Sequence, residues 1–81
     1  IPEFPEKEKK RGVQGEVKVS MEIDSRGRVI EAIVLENTTG SDLCAEAALK
    51  AAKLTRFIPA TKDGVPTSHW LVMPYQFDAS K

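Results

Sequence analysis

Apolar and polar residues alternate one for one through residues 15–24, "GEVKVSMEID". Val17, Val19, Met21 and Ile23 share one parity; Glu16, Lys18, Ser20, Glu22 and Asp24 share the other. A period of two predicts a half-buried antiparallel strand with one wet face. "DSRGR" follows, and Gly27 suits a hairpin position that needs positive φ. "RVIEAIVLE" reads as the return strand, but its alternation breaks. A bulge near residues 30–31 brings Val29, Ala32 and Val34 to one face; without it the outer face carries Ile33 and Leu35. In "NTTGSD", Ser41 or Asp42 can cap a helix. The period then changes: Cys44, Ala47, Ala48, Ala51, Ala52 and Thr55 recur at helical spacing. A face of such small residues lets a helix approach a sheet closely. Glu46 and Lys50 fall four apart on the opposite side, a modest helix support. Pro59 ends the helical region, and "KDGVP" is a turn tipped by Asp63 and Gly64.

The closing run "SHWLVMPYQF" alternates again. Leu71, Met73, Tyr75 and Phe77 are expected in the core, and Trp70, Val72, Pro74 and Gln76 on the outer face. Proline has no N–H for a ladder, so Pro74 marks an edge strand. At the other end, Pro5 can start a short helical turn that carries Glu6 to Arg11 and stops at Gly12. Its charges, "EKEKKR", read as a solvated face. The order is short helix, hairpin, helix, strand. It predicts an α+β, two-layer domain: a three-stranded antiparallel sheet with one long and one short helix on one face. One domain spans 1–81. It comprises an N-terminal segment 1–15 with the short helix, a hairpin 16–36, a helix 43–55 and an edge strand 67–77. The first strand should lie in the middle of the sheet and the last at its edge.

Composition narrows the function. Twelve basic and twelve acidic residues cancel in the 81-residue chain, so no strong basic field exists to hold nucleic acid. The single cysteine, Cys44, excludes an internal disulfide and a cysteine-built metal site; on the alanine face it is expected to be buried and inert. The single histidine, His69, has no second ligand cluster to join and reads as structural. The carboxylates of the first strand alternate on its wet face and need no catalytic explanation. Gly12 and Gly15 match no nucleotide fingerprint. No catalytic, metal or cofactor site is expected, and the chain reads as a binding module rather than an enzyme. No apolar run is long enough to span a membrane. Without a starting methionine or signal peptide, Ile1 reads as the start of a fragment, with any anchor outside it.

Taken in order, the motifs resemble the TonB C-terminal domain family. They are "P-x-[YF]-P" from Pro2 to Pro5, "G-x-x-G-x-V" at Gly12, Gly15 and Val17, and "D-x-x-G-x-V" at Asp24, Gly27 and Val29. The alanine-rich helix at residues 46–51 follows, then "R-F-x-P-A" from Arg56, "D-G-x-P" from Asp63 and "P-x-x-F" from Pro74. Many members carry tryptophan just before "R-[FY]-x-P"; here Thr55 stands there, and Leu54 is expected to take over its sealing of the core.

The resemblance implies a periplasmic domain, held to the inner membrane by a segment absent from this chain. It would pass proton-motive energy from ExbB and ExbD, through regions outside the fragment, to outer-membrane transporters. The domain would grip their TonB box by strand addition. A rival reading is the TonB-like tail of a membrane sensor or peptidase, or of an envelope-spanning structural protein. An exposed edge is normally blunted, and one left open suits a docking peptide. The expected peptide-binding strip is Thr67, Ser68, His69, Trp70, Leu71, Val72 and Met73, with Ile1, Glu3 and Phe4 nearby. Proline at Leu71 or Val72 is expected to break that docking. The same edge allows a homodimer.

Overall fold

The computed structural model describes residues 3–79. In chain order these form α1 (Glu6–Lys10), β1 (Gln14–Ile23), β2 (Val29–Asn37), α2 (Asp42–Leu54), β3 (Ala60–Lys62), β4 (Val65–Thr67) and β5 (His69–Asp78). The main sheet is antiparallel with the order β2–β1–β5, so the first strand is central and the last lies at an edge. This is the expected two-layer α+β architecture.

Strict alternation in β1 drives the assembly. Val17, Val19, Met21 and Ile23 are fully buried, and Cys44, Ala48 and Ala52 of α2 pack with them beside Tyr75 and Phe77 of β5. Small side chains on α2 let its backbone close on the sheet. Its start is fixed by Ser41, whose hydroxyl accepts a hydrogen bond from the Cys44 N–H at 3.2 Å. Its end comes at Leu54, five positions before Pro59; Thr55 is already extended and donates its hydroxyl to the Ala51 carbonyl at 2.7 Å. Leu54 does not seal the core as expected: it is 75% exposed. Phe57 packs against the core instead, pinned by its N–H to the Gly27 carbonyl at 2.8 Å.

The return strand carries two bulges. Register shifts make Ile30 an extra residue between the pairs Glu22–Glu31 and Ile23–Val29, and Leu35 an extra residue between Lys18–Glu36 and Val19–Val34. The first lies where the broken alternation put it. The second was not anticipated. The "KDGVP" turn is more than a turn: β3 and β4 form a separate two-stranded ribbon. Asp63 and Gly64 both have positive φ (53° and 79°), the geometry of a two-residue primed hairpin turn.

The short helix is not wholly solvated. Glu8 is buried beside Ser41, the residue that caps α2. Arg11 reaches back to its carboxylate at 3.0 Å, and the Ser41 hydroxyl hydrogen-bonds it as well. These contacts, the Ser41 bond first, hold the Glu8 carboxyl below its ordinary range although burial opposes them.

Candidate functional site: the open edge of the last strand

Which backbone groups β5 offers to an incoming strand depends on the phase of its ladder. Antiparallel pairs alternate between those that exchange both hydrogen bonds and those that exchange none. Just past the strand, Ala79 N–H donates to the Val13 carbonyl at 3.2 Å. The register from Gln14–Asp78 to Ile23–His69 is unbroken, so that bond sets the phase throughout. His69, Leu71, Met73, Tyr75 and Phe77 bond to β1. Trp70, Val72, Pro74 and Gln76 turn their backbone groups to the open side. Pro74 therefore costs the fold no ladder bond. Its missing N–H faces outward, opposite Lys18.

The two free edges of the sheet differ. β2 is broken twice by bulges, which twist an edge and spoil its donor spacing. β5 pairs with β1 over ten consecutive positions without a shift. From Trp70 to Val72 it presents regular donors and acceptors. At Pro74 the donor row stops.

Side chains follow the same phase. Trp70 and Val72, 53% and 49% exposed, stand on the uncovered face beside Glu22 and Ser20 of β1. Leu71 and Met73 face the helical layer but remain half-buried, because α2 lies over β2 and β1. A strand added at this edge would cover their free flank.

Not all of the expected strip lies on this edge. Thr67 belongs to β4 and pairs with Ala60; Ser68 separates β4 from β5. His69 through Met73 are brought together on the open strand. Phe4 packs edge-on against Phe77, with ring centroids 5.3 Å apart, rather than beside residues 67–73. Glu3 lines a shallow cavity along α2 with Pro5, Ala47, Lys50, Ala51 and Leu54. Ile1 lies outside the described residues. Leu71 is an edge residue by side chain, but its N–H belongs to the β1 ladder. Among the described residues no group of three or more His, Cys, Asp or Glu side chains could hold a metal ion.

The sequence model described as "Gram-negative bacterial TonB protein C-terminal" matches residues 1–79. The chain belongs to the TonB C-terminal family. Protein TonB of Vibrio cholerae is 33% identical over 76 residues, which cover 94% of this chain and 31% of that protein. The chain thus spans about a third of the curated relative it matches. The solution structure of the Pseudomonas aeruginosa TonB C-terminal domain superposes with a TM-score of 0.82 at 28% identity, over 100% of this chain and 81% of that one. The Helicobacter pylori TonB C-terminal domain (residues 194–285) gives 0.75 at 26% identity, over 99% of this chain and 83% of that one. The two solved domains share this chain's two-layer fold.

Proposed function

We propose that this TonB-type domain docks the TonB box of outer-membrane transporters on the open edge of β5 by strand addition. It works in the periplasm as the terminal part of an inner-membrane-anchored protein, and relays energy from ExbB and ExbD. It is a binding module and not an enzyme. The observation that carries this reading is the unpaired, unbulged stretch from Trp70 to Val72, next to half-buried Leu71 and Met73. Main-chain bonds there supply affinity, and alternate side chains of the incoming strand meet two different faces. Pro74 limits how far that strand can zip.

The test is titration of an isotope-labelled domain with a synthetic TonB-box peptide, followed by amide chemical shifts. The expected result is that the largest shifts fall on residues 69–73. Shifts confined to residues 25–28 or to the exposed side of α2, with 69–73 unchanged, would overturn the docking site.

A further inference from the structure

At the end of the sheet where β5 begins, two loops are locked together by backbone. Arg28 and Arg56 form an isolated antiparallel bridge, and the Phe57 N–H bonds the Gly27 carbonyl at 2.8 Å. The lock is tight: a Cβ on Gly27, whose φ is +82°, would meet the Phe57 carbonyl oxygen at 1.9 Å. The Pro59 Cδ would lie 3.5 Å from that same Cβ. Ile58 sits between these two anchored residues, and its side chain is 91% exposed. A large aliphatic group held on a fixed backbone and left in water does nothing for the folded domain.

Arg56 lies two positions before it, and the bridge brings Arg28 and the adjoining turn residue Arg26 to the same end; Lys53 at the end of α2 and Lys62 on β3 flank this loop in sequence, and all five are exposed. Cross-strand partners of like charge, such as Arg28 and Arg56, repel. Arg28 is answered by Asp24, with Nε to Oδ2 at 3.2 Å. Among the described residues none of Arg26, Lys53, Arg56 and Lys62 makes an ion pair. The five cations of these segments, residues 24–28 and 53–63, outnumber their two carboxylates, Asp24 and Asp63, in a chain that is neutral as a whole.

We infer that this tip seats on an anionic membrane surface, with Ile58 entering the headgroup layer and the basic side chains paired with lipid phosphates. The position of Ile58 favours a lipid surface over a peptide. Small-ligand and peptide sites are concave or offer a strand edge. Ile58, Arg26, Arg28 and Arg56 line neither of the cavities along α2, and Ile58 belongs to no strand. Basic residues around an exposed aliphatic group form the combination that binds an interface through partial insertion and charge attraction. The inference is independent of the strand-docking reading.

The experiment is flotation of the domain with vesicles of phosphatidylcholine alone and with a third of phosphatidylglycerol added. The expected result is binding only to the anionic vesicles, lost as salt rises. Arg26→Glu/Arg56→Glu should lower it by about tenfold or more, and Ile58→Ser should lower it without changing net charge. Lys9→Glu/Lys10→Glu on α1 makes the same change in net charge elsewhere and should retain most of the binding. Circular dichroism confirms that each variant is folded, and TonB-box titration of the arginine variant should match the parent. Equal binding to both vesicle types, equal loss in the two charge-reversed pairs, or no effect of Ile58→Ser would each overturn the proposal. So would displacement from vesicles by soluble poly-glutamate at low concentration, which would assign the tip to an acidic protein.

Discussion

Pro74 stands opposite Lys18 in the β1–β5 ladder at a position whose N–H would point away from the sheet. The proline therefore leaves the fold's own bonds intact and alters only what the edge offers outside. That phase separates two neighbouring substitutions that look equivalent in the sequence. Val72→Pro removes an outward N–H and should leave the unfolding temperature nearly unchanged. It should weaken a docked TonB box by about tenfold, the worth of one hydrogen bond left unmade. Leu71→Pro removes a bond to β1 and should destabilise the domain by ~3 kcal/mol or more. Thermal unfolding beside peptide titration checks both. Leu71→Pro proving as stable as Val72→Pro would sink the assigned phase.

Glu8 supplies a pH dependence. Its carboxyl is held low by the Ser41 hydroxyl and Arg11. Asp24 is held low by the Arg28 and Arg26 backbone N–H groups, the former at 2.9 Å. A carboxyl with a depressed folded pKa contributes stability that is present above its unfolded pKa, about 4. That contribution is lost as pH falls through the lower folded value. Stability should therefore fall as pH drops below about 4.5. Glu8→Gln should be less stable than the parent at pH 7 and show a shallower acid loss. Denaturant midpoints between pH 7 and pH 3 measure this; parallel curves for the two proteins would remove Glu8 from the account.

Gly27 is required by space as well as by conformation. Its φ of +82° disfavours other residues, and any Cβ would collide with the Phe57 carbonyl. Gly27→Ala is expected to destabilise by at least ~2 kcal/mol, through strain and through loss of the Phe57 anchor. Gly40, with φ +69° and open space around it, would bear only the conformational part. Chemical denaturation of Gly27→Ala and Gly40→Ala should rank them in that order.

Tyr75 is buried, and its hydroxyl oxygen has no hydrogen-bond partner. Burial pushes its pKa up, against the nearby Thr55 hydroxyl, which donates to Ala51. Removing an unsatisfied buried hydroxyl gives up nothing, so Tyr75→Phe should be neutral or stabilising by up to ~1 kcal/mol. Tyr75→Ala leaves a cavity and should cost ~3–5 kcal/mol. A clear loss of stability in the phenylalanine variant would mean that the hydroxyl is satisfied in solution.

The legible parts of the fold were those where one period ran unbroken. β1 alternates from Val17 to Ile23 and is buried on that parity; the alanine spacing of α2 faces the core. The second bulge of β2 was hidden because Ile33, Val34 and Leu35 are all apolar, so no parity marks the shift. The β3–β4 ribbon is too short to show a period, though Asp63-Gly64 is the right turn chemistry for it. Glu8 was hidden inside a charge run, where nothing local separates a buried acid from its solvated neighbours; its partner Ser41 lies far along the chain. At the candidate site, Pro74 announced the edge. The direction of its missing N–H needed the Ala79–Val13 bond, which is tertiary information.

The central place of β1 has a consequence for how the domain forms. One flank of β1 is closed by the next strand in sequence, but the other waits for the last. Glu16 and Gln76, which meet across that flank through side chains, are 60 residues apart. Closing so long a loop is slow relative to hairpin formation. Until β5 arrives, the strand with the most apolar face in the chain has a bare edge of its own. The β1–β5 ladder should thus form after the β1–β2 hairpin, whose loop is short. A variant that slows the arrival of β5 would leave that inner edge, rather than the functional outer one, to recruit a neighbouring chain.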